Sequence, residues 1–315
     1  MSHPTLCATL AAGASLFLAT TAAAHEDDPK ILHRLPPVAG FGFMAGAPSL
    51  SANATAMAGS NFQSSNFSMN AWLTLADLGY PTANGNDCWG YVAPSGREYA
   101  LMGTTRGMVV VEVTDPNLPN VIGRIDGPNS TWRDIKTYGS RAYVVSEGGQ
   151  GIQVVDLSNV DSGVVTLENT VTGQGTNSSH NVAIDEESGF LYRIGGGGNG
   201  LRIFSLANPA SPTFVGEWNT RYVHDAQIVT YTSGPYAGSE IAYCCSGFNG
   251  GWSDPGLTIL DVTDKSNIVV LSQLPYPNRE YSHQGWLSAD RTRFYLGDEL
   301  DEGNNVLVTT THVFD

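Results

Sequence analysis

The sequence predicts an all-β fold, a β-propeller of about five blade-like units that form part of a six- or seven-bladed ring. One phrase carries most of that reading: a glycine, an alternating apolar strand, an acidic or small polar residue, then a turn. It recurs at Gly107–Pro116, Gly151–Asn159, Gly200–Pro209 and Gly256–Asp264. The leading glycines are 44, 49 and 56 residues apart, a period that fits several short strands per unit and matches propeller blades. No long apolar stripe with a 3.6-residue period runs through the chain, which excludes a helical solenoid.

Residues 1–24 contain no Asp, Glu, Lys or Arg, Leu6 to Leu18 are apolar or small, and Ala22, Ala23 and Ala24 precede His25. This pattern reads as a secretory signal peptide. It predicts export to the periplasm, the cell surface or the extracellular medium, with no transmembrane segment after its removal. Residues 25–69 are rich in Ala, Gly, Ser and Asn and read as a flexible lead-in. Asn70 to Tyr80 alternates Ala71, Leu73 and Leu75, with Leu78 beyond. It is expected to be a strand that closes the ring by completing the last blade.

Residues 70–315 form the propeller. The second unit shows the plan: Asp134–Tyr138, a turn at Gly139-Ser140, Ala142–Ser146, a turn at Gly148-Gly149, then Gly151–Leu157. Val, Ile, Tyr and Thr fill the strands, and Gly, Asn, Pro and Asp fill the turns. The fifth unit begins at His283, and its third strand, Val306 to Asp315, stops where the other copies continue. This phase predicts a propeller incomplete at its C-terminus and belonging to a longer protein.

The formal net charge is −15, with 15 Lys and Arg against 30 Asp and Glu. Nucleic acid and anionic membranes need cationic surface, so both are excluded as expected partners. The balance suits a cationic ligand or a divalent metal. Past the leader the cysteines are Cys88, Cys244 and Cys245, an odd number. Either a disulfide (the vicinal pair, or Cys88 with one of them) or buried free thiols would satisfy them, and no zinc-knuckle spacing is present.

A second periodic element opens each unit: Asp87-Cys88-Trp89, Arg133-Asp134-Ile135, His180-Asn181-Val182, His224-Asp225-Ala226 and His283-Gln284-Gly285. The first strand of a blade lines the central channel, so equivalent positions form a ring about the axis. The turns between second and third strands reach the same mouth and carry Glu147, the Gly195–Gly198 run, and Asp298 to Glu302. The candidate ligand-binding residues are therefore Arg133, Asp134, Glu147, Asn181, Asp225, Gln284 and Glu299. The candidate metal ligands are His180, His224 and His283, with calcium, zinc or manganese as the expected divalent cation. The same polar groups could instead clamp neighbouring blades by bonding to their backbones. Trp89, Trp132, Trp252 and Trp286 are expected in blade packing, with stacking on a ligand as the alternative.

The repeated phrase resembles the LVIVD repeat of exported bacterial propellers. Asn86–Tyr91, Gly96–Leu101, Trp132–Lys136, Tyr222–Gln227, His283–Leu287 and Asp298–Glu302 resemble, in order and spacing, the choice-of-anchor B family. That resemblance implies an exported propeller with a variable C-terminal surface anchor. The expected function is thus a ligand-binding, partner-binding or structural module facing an extracellular or envelope ligand, and more readily that than an enzyme. The alternative is a secreted metal-dependent hydrolase of a lactone, phosphoester or glycan that uses the same funnel. Neither a nucleophile elbow nor another complete catalytic signature is present, and no catalytic residue is assigned.

Overall fold

The computed structural model describes residues 42–45, 66–197, 200–249, 253–301 and 308–315. The leader, most of the lead-in, Gly198, Trp252 and Glu302 lie outside these. Two short strands, β1 (Phe43–Met44) and β2 (Ala71–Trp72), come first. Blade one contains β3 (Gly85–Val92), β4 (Glu98–Thr104), β5 (Gly107–Glu112) and β6 (Asn120–Asp126). Blade two contains β7 (Arg133–Tyr138), β8 (Arg141–Ser146), β9 (Ile152–Asp156) and β10 (Thr166–Val171). Blade three contains β11 (Asn181–Asp185), β12 (Phe190–Ile194), β13 (Leu201–Ser205) and β14 (Thr213–Trp218). Blade four contains β15 (Asp225–Thr230), β16 (Glu240–Ser246), β17 (Gly256–Asp261) and β18 (Val269–Leu274). Blade five shows three strands, β19 (Ser282–Leu287), β20 (Phe294–Asp298) and β21 (Thr311–Phe314).

Every blade is an antiparallel meander in chain order, and the first strands pack in the sequence β3, β7, β11, β15, β19. The core is the set of interfaces between blades. Leu101 and Val110 meet Ile135 and Val144 between blades one and two. Val154 and Tyr143 meet Val182 and Leu191 between two and three. Ile194 and Ile203 meet Ala226 and Leu260 between three and four, and Cys245 and Leu257 meet Leu287 and Leu296 between four and five.

The repeated phrase has a steric cause. Gly151 and Gly200 have φ of +69° and +66°, a region that residues with a side chain enter only at a cost. A Cβ on Gly107, Gly151, Gly200 or Gly256 would meet a carbonyl oxygen of the adjacent outer strand or its end, at Ile125, Val171, Trp218 or Leu274. The polar residue that ends the phrase folds the exit turn. Asp156 accepts from the Ser158 N–H, Ser205 Oγ from the Ala207 N–H, and Asp261 from the Thr263 N–H, a local bond that mimics a backbone turn.

One expectation changes, and one choice left open between alternatives resolves. Asn70–Tyr80 is extended only at Ala71–Trp72; beyond it, Thr74 and Asp77 exchange hydrogen bonds that fold the chain into turns. Moreover, among the described residues β2 pairs with β1 and not with the last blade. Leu73, Leu75 and Leu78 instead pack against Val109 and Val111 on the flank of blade one, because that flank is apolar and would otherwise face water. Cys88, Cys244 and Cys245 are free thiols. Neighbours on a strand point to opposite faces: Cys244 packs towards blade three and Cys245 towards blade five, so the vicinal pair is not bridged.

Candidate ligand and metal site

The channel between the inner strands holds a cavity of about 530 Å³ lined from all five blades. Its mouth is histidine-rich. The ring centroids of His180 and His224 lie 4.2 Å apart, and those of His224 and His283 lie 4.3 Å apart. Residues separated by 44 and 59 positions thus meet ring to ring, tilted by 49° and 32°, because each stands at or just before the start of a first strand. His224 Nδ1 lies 2.9 Å from the His283 carbonyl oxygen and donates to it, locking that imidazole across two blades. Glu147, just after β8, places Oε1 2.7 Å from His180 Nδ1. Glu299, just after β20, places Oε1 3.5 Å from His283 Nε2. The expected glycine turn is there too: Gly195, with φ of +63°, lies so near His180 that a Cβ would come within 3.0 Å of its Cβ.

One residue further along each inner strand is an acidic level. Asp134 is buried, accepts from the Val182 N–H of blade three at 2.8 Å, and pairs with Lys136 Nζ at 2.6 Å. Asp87 accepts from the Ile135 N–H of blade two at 3.3 Å. Asn181 donates its amide to the His224 carbonyl at 2.9 Å. These three side chains therefore join blades one, two, three and four in series while lining the cavity, so there the clamp and the lining are one set of residues. Asp225 lies at the same level, and its carboxylate bonds to the N–H of its own neighbour Ala226. Gln284 also lines the cavity and is exposed. Arg133 lines the cavity as well, and its guanidinium donates to the carbonyls of Thr104 and Pro128 in and beside blade one.

Burial dominates the electrostatics. Asp87 is pushed up to about 7, first by burial and then by its hydrogen bond to Asp134 and that group's charge. Asp225 is pushed up to about 6 by burial and by Asp134. Burial also opposes ionisation of Asp134, but Lys136 together with the hydrogen bonds to it holds this carboxyl below its ordinary range. At this level the channel thus contains the carboxyl groups of Asp87, Asp134 and Asp225 and one ammonium, Lys136, committed to Asp134.

Lys136 and Asp87 were not among the expected site residues, and the tryptophans were expected there only as the alternative to blade packing. Lys136 follows Asp134 by two, hence shares its face, and its Nζ sits 4.4 Å from the Trp89 ring centroid. Asp87 occupies the repeat position of Asp134 and Asp225. Trp89, Trp132 and Trp286 line the cavity, and Trp286 is 57% exposed, so blade packing does not describe it.

A family model, LVIVD repeat, matches residues 178–220, which span blade three. Among curated proteins, no sequence match is found. Of solved structures, a candidate 6-phosphogluconolactonase from Bacteroides uniformis is similar with a TM-score of 0.53 at 12% identity, over 71% of this chain and 66% of that one. Raptor from Chaetomium thermophilum is similar with a TM-score of 0.51 at 10% identity, over 74% of this chain and 19% of that one. The chain therefore covers less than two thirds of either neighbour, and such distant likeness speaks to the fold alone. Together with the meander sheets and the stacked first strands, these matches make the chain an all-β propeller protein carrying an LVIVD repeat.

Proposed function

We propose that this chain is an exported propeller of the choice-of-anchor B kind whose axial cavity binds a small organic cation. The observation that carries this reading is the cavity itself: about 530 Å³, with Asp87, Asp134 and Asp225 in its wall beside Trp89, Trp132 and Trp286. Carboxylates attract an ammonium group, and aromatic faces attract it further when water is excluded. The fold already seats one ammonium this way, since Lys136 lies between Asp134 and Trp89. Export and surface attachment rest on the leader and on the resemblance. A ring completed by further blades is supported by the exposed row of Trp286, Tyr295 and Val313 on blade five and by exposed Val92 on blade one.

The test is titration of the protein, in the presence of a chelator, with putrescine, choline and size-matched carboxylates, read by tryptophan fluorescence. Saturable binding of a cation, weakened at least tenfold in Asp225→Asn, is the expected outcome. Equal responses to the carboxylates, or no saturable response to any cation, would sink the reading. The hydrolase reading is favoured by one observation, the His180–Glu147 pair beside His224, which has the form of an oriented general base. Turnover of simple neutral esters or lactones with added zinc would be its signature.

A further inference from the structure

We infer that His224, His283 and Glu299 form a three-ligand site for a zinc-type divalent ion at the mouth of the cavity, with His180 standing beside the ion and not on it. This rests on reading the axial channel as a binding site and names the ion that its mouth takes. One ligand atom from each of the three residues lies within 4.8 Å of the other two. Zinc bonds to nitrogen and carboxylate oxygen are about 2.0–2.2 Å, so a tetrahedral ion needs these atoms about 3.3 Å from one another. The His283–Glu299 pair, at 3.5 Å, is already close to that, and side-chain rotation closes the rest.

The chemistry of the donors selects the ion. Two imidazoles and one carboxylate suit zinc, cobalt, nickel or copper. Calcium takes six to eight oxygens and is excluded by such a set. Three protein ligands leave a fourth position facing the cavity, the arrangement of a site that accepts an exogenous ligand. The surroundings of a metal-binding histidine are present as well. His224 Nδ1 donates to the His283 carbonyl, which directs Nε2 to the ion and fixes the ring's orientation. His180 is set differently. Its Nδ1 is held by Glu147, and among the described residues it does not join the converging group. It packs against the His224 ring and positions it. The three-histidine set expected from the repeat thus becomes two histidines and the carboxylate that follows β20.

The test uses the full chain stripped with a chelator and titrated calorimetrically with zinc chloride, then with calcium chloride. One equivalent of zinc should bind, and millimolar calcium should not compete. Glu299→Gln and His283→Ala should each weaken zinc by at least a hundredfold, and His180→Ala by no more than about tenfold. Because His224 is buried and ties two blades together, its alanine variant would not separate metal loss from misfolding, and cobalt supplies the second readout. A tetrahedral visible spectrum should appear in the wild type and be lost in Glu299→Gln, whose far-ultraviolet circular dichroism should match the parent. Absence of stoichiometric zinc would overturn the inference, as would full zinc affinity in Glu299→Gln. Loss in His180→Ala equal to that in His283→Ala would restore the histidine ring in its place. Cation binding measured with chelator present stands or falls separately.

Discussion

Replacing the repeat glycine of blade three by alanine isolates the cause of the sequence phrase. Gly200 has φ of +66°, and a Cβ there would lie 1.7 Å from the Trp218 carbonyl oxygen and 3.2 Å from that of Arg221. Gly139, in the hairpin between β7 and β8, has φ of +57° with nothing within 4 Å of the same added atom. The two substitutions share the left-handed backbone cost, about 1–2 kcal/mol, and differ only in surroundings. At Gly200 the Trp218 carbonyl must retreat by more than an ångström to reach ordinary contact, on the order of 1.5 Å. That movement breaks the pairing of Leu201 with Trp218 and disturbs the packing of the buried Trp218 ring. A lost backbone hydrogen bond, about 1 kcal/mol, and disrupted packing of about 1–2 kcal/mol bring Gly200→Ala to roughly 3–5 kcal/mol, against about 1–2 kcal/mol for Gly139→Ala. Urea unfolding followed by tryptophan fluorescence measures both. Equal midpoints for the two variants would refute the steric account and leave backbone strain as the whole explanation.

The remaining expectations concern the channel and the thiols. Asp87→Asn should stabilise the protein at pH 8, by roughly 1–2 kcal/mol once its partial exposure is discounted. The sign follows from its raised value: the folded state holds this proton where the unfolded chain has released it, so the contribution is full below the ordinary carboxylate range and is lost as pH rises through about 7. Urea midpoints for the pair should therefore converge towards pH 4, and a constant offset across that range would count against the assignment. Lys136→Met strips the buried Asp134 of its ammonium and should cost about 3 kcal/mol at neutral pH, seen as a lowered urea midpoint; an unchanged midpoint would mean that Asp134 is already protonated. In protein lacking residues 1–24, a thiol reagent should modify Cys88 at once and Cys244 and Cys245 only on unfolding. Three fast thiols would contradict the burial of β16.

The repeat made the architecture legible because each of its parts answers a local demand: the glycine avoids a neighbouring carbonyl, the apolar run fills two blade interfaces, and the terminal Asp or Ser turns the chain. The convergence of His180, His224 and His283 was legible for the same reason, since repetition in sequence becomes adjacency around an axis. Position in the repeat does not reveal which way an imidazole turns, however. Glu147, which lies outside the repeat position, draws His180 one way, whereas the carbonyl of the next repeat histidine, His283, draws His224 another. Lys136 was overlooked because a lysine within a strand ordinarily reaches solvent; only the neighbouring blade supplies Trp89 to receive it. The fate of Leu73, Leu75 and Leu78 was hidden likewise, because an alternating apolar segment can add to a sheet or lie across its face, and β1 decides between them.

The bond from His224 to the His283 carbonyl ties the orientation of one ring to the angle between two sheets. A wedge driven between blades four and five, or a partner that draws them together, would turn the imidazole and alter what it can hold. The mouth of the channel is in this sense a gauge of curvature, because a change in the angle between blades four and five reaches one imidazole directly through that bond.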